Sequence, residues 1–232
     1  MMQPAPVRAL KVIEVTSRCS LSCVYCLWPT MPRPKLDMTP ETWQRVLVWL
    51  AYCRDHGRQG EVSFSGVGEP TLHPQFPAML RDARELLGGQ ARILFTTNGK
   101  NCTEALVRAV LPARPQVCVT NHFAHLAGPA AALYRRFGLL RAISHDPVDA
   151  AQDWAGQVQW PTRYADPASR GECLVLRERA AQVNADGTFA VCCMDGSHET
   201  AAGTVFDDPE TTAFRMTPWR LCASCWQRPP DV

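Results

Sequence analysis

Three cysteines lie close together near the N-terminus, at Cys19, Cys23 and Cys26, with spacings of four and three residues. Thiolates bind zinc ions and iron–sulfur clusters, and a closed structural site of either kind takes four protein ligands. A group of three leaves one metal position open to a further ligand. The spacing therefore predicts a metal centre at which chemistry takes place.

The composition limits what kind of protein can carry this centre. The chain has 232 residues, of which 46% are hydrophobic, enough for one core with a small appendage. The net charge is +2, from 24 basic and 22 acidic residues without a long basic run, which disfavours nucleic acid as a partner without excluding it. The N-terminus has no signal-peptide pattern, and no apolar run reaches the ~18 residues of a membrane span, so we expect a cytoplasmic protein without membrane contact. In that compartment the eleven cysteines are expected to be thiols or metal ligands.

The elements that position the cysteines alternate between strand and helix. The predicted strands are Lys11–Thr16, Glu61–Ser65, Arg92–Thr97, Gln116–Thr120 and Leu139–Ser144, with Gln157–Trp160 as a candidate sixth. The first predicted helix begins at Thr39-Pro40-Glu41. Three further predicted helices span Pro74–Leu87, Thr103–Leu111 and Ala124–Phe137. This order indicates βαβ units with right-handed crossovers and a parallel sheet. A complete barrel takes ~250 residues, so we predict an α/β fold with a partial, open (β/α)5–6 barrel.

The pattern changes after about residue 150, where prolines, glycines and cysteines dominate. Gln182–Val191 predicts a β-hairpin around Asp186-Gly187. We therefore place the barrel in residues 1–160 and a small cysteine-rich second domain in residues 161–232.

Two motifs resemble a known family. The stretch CSLSCVYC, residues 19–26, follows the first strand and is similar to the CxxxCxxC signature of radical S-adenosylmethionine (SAM) enzymes. The stretch GVGEP, residues 66–70, closes the second strand and resembles the GGEP motif of the same enzymes. The resemblance covers residues 11 to about 145, with both motifs in the family's order.

The resemblance implies a [4Fe–4S] cluster held by Cys19, Cys23 and Cys26, with the amino and carboxylate groups of SAM on the fourth iron. It also implies a set of SAM contacts. Tyr25 is expected beside the adenine, Glu69 at the ammonium, and Arg135 at the carboxylate, where Arg136 competes for the role. The remaining implied contacts are Gly66 and Gly68 in GVGEP, Thr96 and Asn98 at the end of the third strand, and Thr120 and Asn121 at the end of the fourth.

The C-terminal cysteines resemble the twitch form of the SPASM domain, which binds one auxiliary [4Fe–4S] cluster. The implied ligands are Cys173, Cys192, Cys222 and Cys225, with Cys193 as the alternative to Cys192. We favour Cys192 because the predicted hairpin strand leads directly to it. Spacing alone does not distinguish this site from a structural zinc ribbon.

The family chemistry is reductive cleavage of SAM to a 5′-deoxyadenosyl radical that removes a substrate hydrogen, with an external one-electron donor such as a flavodoxin or ferredoxin. The short chain and single auxiliary site most resemble the aminocyclitol dehydrogenase class of the butirosin pathway, which implies oxidation of an alcohol carbon of a small molecule. Isomerisation of a nucleotide or modified nucleobase and maturation of a peptide remain open alternatives. Candidate catalytic residues are His122, Arg163 and Tyr164, and His125, His145 and Arg170 lie in loops that can face the substrate.

Overall fold

A computed structural model describes residues 5–144, 154, 157–159, 171–214, 220–225 and 227–228. Its first half consists of five strands joined by four helices, with short 3-10 turns at Pro70–Leu72 and Leu111–Ala113. In chain order these elements are β1 (Ala9–Ile13), α1 (Pro40–His56), β2 (Glu61–Phe64), α2 (Phe76–Leu87), β3 (Arg92–Thr97), α3 (Glu104–Val110), β4 (Gln116–Val119), α4 (Ala124–Arg136) and β5 (Leu140–Ile143). The predicted alternation is confirmed, with bounds that shift by a few residues.

The C-terminal part contains shorter elements. They are β6 (Gly171–Glu172), α5 (Leu174–Glu178), β7 (Ala180–Val183), β8 (Thr188–Ala190), β9 (Ala201–Thr204), α6 (Arg220–Ser224) and β10 (Gln227–Arg228). The predicted hairpin is present as β7 and β8. Its turn is closed by the Gly187 N–H, which donates to the Asn184 carbonyl, and Gly187 has a φ of 86° that favours glycine.

Eight strands form one open sheet in the order β5-β4-β3-β2-β1-β7-β8-β9, while β6 and β10 pair separately. Strands β1 to β5 and β7 are parallel to one another. Strand β8 is antiparallel to both of its neighbours, β7 and β9. The two edge strands, β5 and β9, do not pair with each other, so the sheet does not close into a barrel. The predicted partial barrel is confirmed.

The sixth parallel strand is β7. The prediction of a sixth strand at Gln157–Trp160 was wrong for residues 157–159, the part of that range that the structure describes. Residues 157–159 form no strand, and the Gln157 side-chain amide donates to the Trp154 and Met194 carbonyls at 2.6 and 2.7 Å. Strand β7 instead pairs with the outer edge of β1, and all its residues are buried. Without β7, the edge of β1 would expose unpaired backbone groups.

The C-terminal hairpin thus extends the barrel sheet across the division that we predicted between two domains. The boundary itself, at residues 160 and 161, lies outside the described residues, so this division stays a prediction. No helix in the described part of the chain is both long and apolar enough to cross a bilayer.

Helix α1 begins where its sequence predicts. The Thr39 side chain accepts a hydrogen bond from the Thr42 N–H at 3.1 Å, and Pro40 occupies the first turn. Its buried face includes Trp43 and Trp49, which are packed against the aromatic core. Because β1 to β5 add to the sheet in chain order, right-handed crossovers place α1 to α4 on one face.

The two faces of the strands differ in composition because side chains alternate along a strand. Residues such as Phe64, Ile93, Phe95 and Val119 are fully buried in the core with the helices. The alternate positions are smaller or more polar, and they face the other side of the sheet. The helical face therefore stabilises the fold, and the opposite face is available for a ligand.

Candidate active site

A cavity of about 460 Å³ lies at the carboxyl ends of the parallel strands, a size within the range of small-molecule sites. This is the edge where loops of parallel α/β folds bind ligands. Its lining residues come from the cysteine loop, from the loops after four strands, from β7 and from the C-terminal segment. They are Val12, Cys19, Leu21, Cys23, Tyr25, Cys26, Ser65, Gly66, Val67, Gly68, Glu69, Thr96, Thr97, Asn98, Thr120, His122, Ser144, Trp154, Gln182, Cys193 and Met194.

The loop after β1 brings Cys19, Cys23 and Cys26 to this cavity. The Leu21 N–H donates to Cys19 Sγ at 3.5 Å, and the Trp28 N–H donates to Cys26 Sγ at 3.4 Å. Burial, with repulsion from the other two thiolates, raises the pKa of the Cys26 thiol to about 11. A cation is therefore needed to hold all three sulfurs as thiolates.

Glu69 ties two strand ends together from a buried position. Its Oε1 accepts hydrogen bonds from the Thr71 and Thr97 hydroxyls at 2.6 and 2.8 Å, and its Oε2 accepts one from the Asn98 N–H at 2.7 Å. Burial raises the pKa of this carboxyl, and the hydrogen bonds oppose the shift. Glu69 thus fixes the loop after β2 to the loop after β3 while it faces the cavity.

The two glycines of GVGEP are required by contacts within the chain. A Cβ on Gly68 would lie 1.9 Å from the Thr16 carbonyl oxygen. Gly66 has a φ of 143°, and a Cβ there would lie 2.7 Å from Glu14 Oε2. The motif therefore packs directly against the end of β1, in addition to any approach to a ligand that the glycines permit.

Asn98 reaches from the end of β3 toward the cysteine loop. Its side-chain amide lies 3.8 Å from Cys19 Sγ and 3.5 Å from Ser20 Oγ. Its Oδ1 accepts a hydrogen bond from the Lys100 N–H at 2.9 Å, which orients the amide group. Asn98 is thus placed to donate to a thiolate sulfur.

Tyr25 and His122 form a pair on the cavity wall. The Tyr25 hydroxyl and His122 Nδ1 share a hydrogen bond of 2.7 Å. Burial lowers the pKa of His122, so the imidazole is neutral at pH 7 and can accept a proton. In the tautomer whose Nδ1–H donates to the Tyr25 hydroxyl, Nε2 carries no proton and is the nitrogen that can accept one.

Small polar side chains line the concave face of the sheet. Ser65, Thr96, Thr120 and Ser144 come from the ends of β2 to β5, and Gln182 comes from β7. Among the lining residues that the structure describes there is no lysine, arginine or aspartate, and Glu69 is the one carboxylate. This part of the surface offers neutral donors and acceptors, which suits the polar groups of a ligand.

The second cysteine group meets the same cavity. Cys193 and Met194 line it, while Cys192 and Cys225 pack against Met194 and Leu221. Cys193 is partly exposed to solvent. The pKa of its thiol is nevertheless raised to about 11, first by desolvation of the sulfur and then by repulsion from the Cys173 and Cys225 thiolates. The pKa of Cys192 is raised by burial and by the thiolates of Cys193, Cys225 and Cys222. The five thiols are therefore close enough to interact electrostatically.

Two of the predicted residues that the structure describes, Asn121 and Arg135, do not line the cavity. Asn121 is half-buried beside it, and its N–H donates to Ser144 Oγ at 3.0 Å. Arg135 lies exposed in the last turn of α4, at the opposite end of the sheet from the cavity. The reason is that α4 starts beside the carboxyl end of β4 and runs away from it. Arg163 and Tyr164 lie outside the described residues.

Two further candidates that the structure describes, His125 and Arg136, do not line the cavity either. His125 is exposed and contacts the Phe123 ring, and Arg136 pairs with Glu104 at 3.3 Å. His145 and Arg170 also lie outside the part of the chain that the structure describes.

Several lining residues were not predicted from the sequence. Ser65 and Ser144 directly follow β2 and β5, so the rule that ligands bind at carboxyl strand ends could have identified them. Gln182 and Met194 had no such signal, because their place depends on the pairing of β7 with β1.

The residues present fit a cluster held by three cysteines. Three thiols face one cavity. Separate backbone N–H groups donate to the sulfurs of Cys19 and Cys26, and the Asn98 amide approaches the Cys19 sulfur. In the described residues, no three His, Cys, Asp or Glu side chains converge closely enough to hold a single metal ion.

The Radical SAM superfamily model matches residues 13–128, half of the chain. Three curated proteins share a weaker similarity over part of their length. The chain is 29% identical over 99 residues to a tungsten-containing aldehyde ferredoxin oxidoreductase cofactor-modifying protein of Pyrococcus furiosus, and 33% identical over 87 residues to a GTP 3′,8-cyclase of Chlorobaculum tepidum. These alignments cover 41% and 38% of this chain and 25% and 24% of the relatives, so the match spans about a quarter of each relative's length.

Solved structures share the fold over most of the chain. BtrN in complex with AdoMet and 2-DOIA superposes with a TM-score of 0.69 at 20% identity, covering 90% of this chain and 86% of that one. The anSMEcpe protein with bound AdoMet superposes with a TM-score of 0.60 at 14% identity, covering 89% and 81%. Members of the matched family use a [4Fe–4S] cluster and SAM. The chain is an enzyme that belongs to the radical SAM superfamily.

Proposed function

We propose that this enzyme removes two electrons and two protons from an alcohol carbon of a small polar molecule. The observation that carries the proposal is that Cys193 and Met194 of the second cysteine group line the same cavity as Cys19, Cys23 and Cys26. A dehydrogenation needs an electron acceptor beside the substrate, and an auxiliary cluster at the second group meets that need. The proposal is also supported by the fold shared with BtrN, which binds AdoMet and 2-DOIA.

In this proposal, Cys19, Cys23 and Cys26 hold the first [4Fe–4S] cluster, and Cys173, Cys192, Cys222 and Cys225 hold the second. When bound, the first cluster and SAM supply the radical that takes a hydrogen atom from the substrate. Gly66, Gly68, Glu69, Thr96, Asn98, Thr120 and Tyr25 contribute the surface for SAM.

His122 is the proposed general base. After hydrogen abstraction, the alcohol carbon must lose its hydroxyl proton before the second electron leaves. A neutral imidazole with Nδ1 fixed by Tyr25 can accept this proton at Nε2. The hydroxyl group of Ser144 and the amide group of Gln182 would orient a substrate that carries several hydroxyl groups.

The proposed setting is a cytoplasm that keeps thiols reduced, with a flavodoxin or ferredoxin as electron donor. The cysteines form no disulfide, which supports this setting. Arg135 is not retained as a SAM contact because its position is exposed and remote from the cavity.

The test is a substrate screen with the anaerobically reconstituted enzyme, SAM and a reductant. Neutral cyclitols, aminocyclitols, nucleosides and unstructured peptides are compared for stimulation of 5′-deoxyadenosine formation. We expect stimulation by a hydroxylated ring compound, one product per 5′-deoxyadenosine, and a product two mass units lighter than the substrate. A product of unchanged mass would contradict dehydrogenation and favour isomerisation, and stimulation by peptides alone would favour a peptide maturase.

A further inference from the structure

A buried ion pair joins the end of β1 to the loop that follows the first cysteine group. The side chains of Glu14 and Arg33 are 1% and 4% exposed. Arg33 Nη1 donates to Glu14 Oε1 at 2.8 Å, and Nη2 donates to Oε2 at 3.3 Å. This two-pronged geometry fixes the direction of the arginine as well as its distance.

The same two side chains also bind three other segments. Arg33 Nε donates to the Gly196 carbonyl at 3.2 Å, three residues after Cys193. Glu14 Oε2 accepts from the Val67 N–H at 2.8 Å, within GVGEP, and Oε1 accepts from the Ala185 N–H at 3.5 Å, in the turn between β7 and β8. The ion pair therefore connects the loops that carry the SAM motifs with the segment that directly follows Cys192 and Cys193.

Direct packing reinforces this connection. A Cβ on Gly196 would lie 1.7 Å from Leu27 Cδ2, so the residue after Cys26 rests on the Gly196 backbone. The Trp154 indole N–H also donates to the Tyr25 carbonyl at 3.2 Å, and Gln157 links Trp154 to Met194. The two cysteine groups thus belong to loops that contact each other.

A buried ion pair contributes little net stability compared with apolar residues of the same volume, because removing both charges from water is costly. Its remaining advantage here is directional, since one arginine and one carboxylate orient five segments at once. We propose that Glu14 and Arg33 are positioning residues that set the separation and orientation of the two cysteine groups. The proposal rests on the proposed function for the statement that both groups bind clusters.

The test compares four forms of the reconstituted full chain: wild type, Arg33→Lys, Glu14→Met/Arg33→Met and Gln59→Met. Lysine keeps the charge but cannot reach both Glu14 oxygens and the Gly196 carbonyl together. The double variant removes both charges, so neither partner is left buried and unpaired. Gln59 is the matched control, because its buried amide binds Leu10 N–H and C=O at 2.7 and 2.9 Å near the opposite end of β1.

Two measurements are made. Electron paramagnetic resonance of the fully reduced enzyme reports the magnetic interaction between the two clusters, which depends on their distance and orientation. Hydrogen exchange reports the amides of residues 66–70 and 192–197 and needs no cluster. We expect Arg33→Lys and the double variant to retain their iron, to alter the magnetic interaction, and to exchange at least about tenfold faster in these segments, while Gln59→Met matches wild type in both.

An unchanged magnetic interaction and unchanged exchange in the double variant would overturn the proposal. Where the double variant does not fold, Arg33→Lys decides by the same two criteria. A wild-type enzyme that lacks a second cluster signal would contradict the proposed function, and the exchange arm would then decide the positioning role independently.

Discussion

At the scale of single residues, the chemistry of the site depends on groups whose protonation is shifted by burial. The Cys19 and Cys26 thiols have raised pKa values, and the His122 imidazole has a lowered one. The cysteines are therefore neutral thiols without metal, and the histidine is a neutral base. Both shifts have consequences that vary with pH.

Uptake of iron by the first cysteine group should become faster and more complete between pH 7 and pH 9. A raised thiol pKa means that the folded chain holds these protons, and iron must displace them, so higher pH favours the cluster. The measurement is iron bound and protons released during anaerobic reconstitution. Cys53→Ala serves as control, since Cys53 is buried in the core with a pKa raised to about 12 and should not affect uptake. Uptake that is independent of pH would contradict the prediction.

His122→Gln should reduce product formation by about 10²- to 10⁴-fold while 5′-deoxyadenosine formation continues, because only the deprotonation step loses its base. In wild type, the acid limb of product formation should lie below pH 6.5, the ordinary value from which burial lowers this pKa. The measurement is the ratio of product to 5′-deoxyadenosine across pH. His125→Gln, at an exposed histidine three residues away, should leave the ratio unchanged. An equal effect of both substitutions would exclude His122 as the base.

At the scale of elements, the site is assembled by loops that pack closely against one another at the ends of β1, β2 and β3. Gly68 contacts the Thr16 carbonyl, and Glu69 bridges to the Asn98 N–H. Gly196 contacts the Leu27 side chain. These contacts differ in how readily a substitution can be accommodated, since a side chain can move and a strand end cannot.

Gly68→Ala should lower the free energy of unfolding by more than the about 1–3 kcal/mol of ordinary overpacking, because the obstructing atom is the Thr16 carbonyl oxygen. Gly196→Ala should cost less, and in a Leu27→Ala background its further cost should fall below about 0.5 kcal/mol. Denaturant unfolding of the metal-free chains measures all four variants. Equal costs for Gly196→Ala in both backgrounds would contradict the contact with Leu27.

At the scale of the whole molecule, the pairing of β7 with β1 brings the C-terminal cysteines to the cavity formed by the N-terminal half. Strand β7 places Gln182 on the concave face, and the chain after β8 returns to the cavity wall at Cys193 and Met194. Under the proposed function, this arrangement places two metal centres beside one substrate. Their separate roles can be tested by removing each in turn.

Replacing Cys19, Cys23 or Cys26 singly by alanine should abolish 5′-deoxyadenosine formation, because each change removes a ligand of the electron-donating cluster. Replacing Cys222 and Cys225 together should lower the iron content from about eight to about four per chain and leave SAM cleavage measurable without product. The control is that the first cluster still forms and binds SAM in the double variant. Product at the wild-type ratio to 5′-deoxyadenosine would exclude the second centre as electron acceptor and favour an isomerase. Four irons plus one zinc in wild type would instead identify a zinc ribbon.

The sequence by itself determined the family and the order of the first nine elements, and it predicted many of the residues that line the candidate cavity at the ends of those elements. This was possible because CxxxCxxC, GVGEP and the residues after β3 and β4 each follow a strand directly, so local position specifies their place in space. The same reasoning predicted the β7–β8 hairpin from Asp186-Gly187 and the N-terminus of α1 from Thr39-Pro40.

Only the tertiary structure decided which strand covers the edge of β1, and with it the place of Gln182, Cys193 and Met194. It also decided that Arg135 lies far from the cavity and that Glu14 and Arg33 meet in the interior. Each of these depends on contacts between residues distant in the chain, such as the 163 positions between Arg33 and Gly196. Periodicity and motif spacing report only local geometry, because the pairing of a strand edge or a buried charge is chosen by whichever distant segment satisfies its hydrogen bonds.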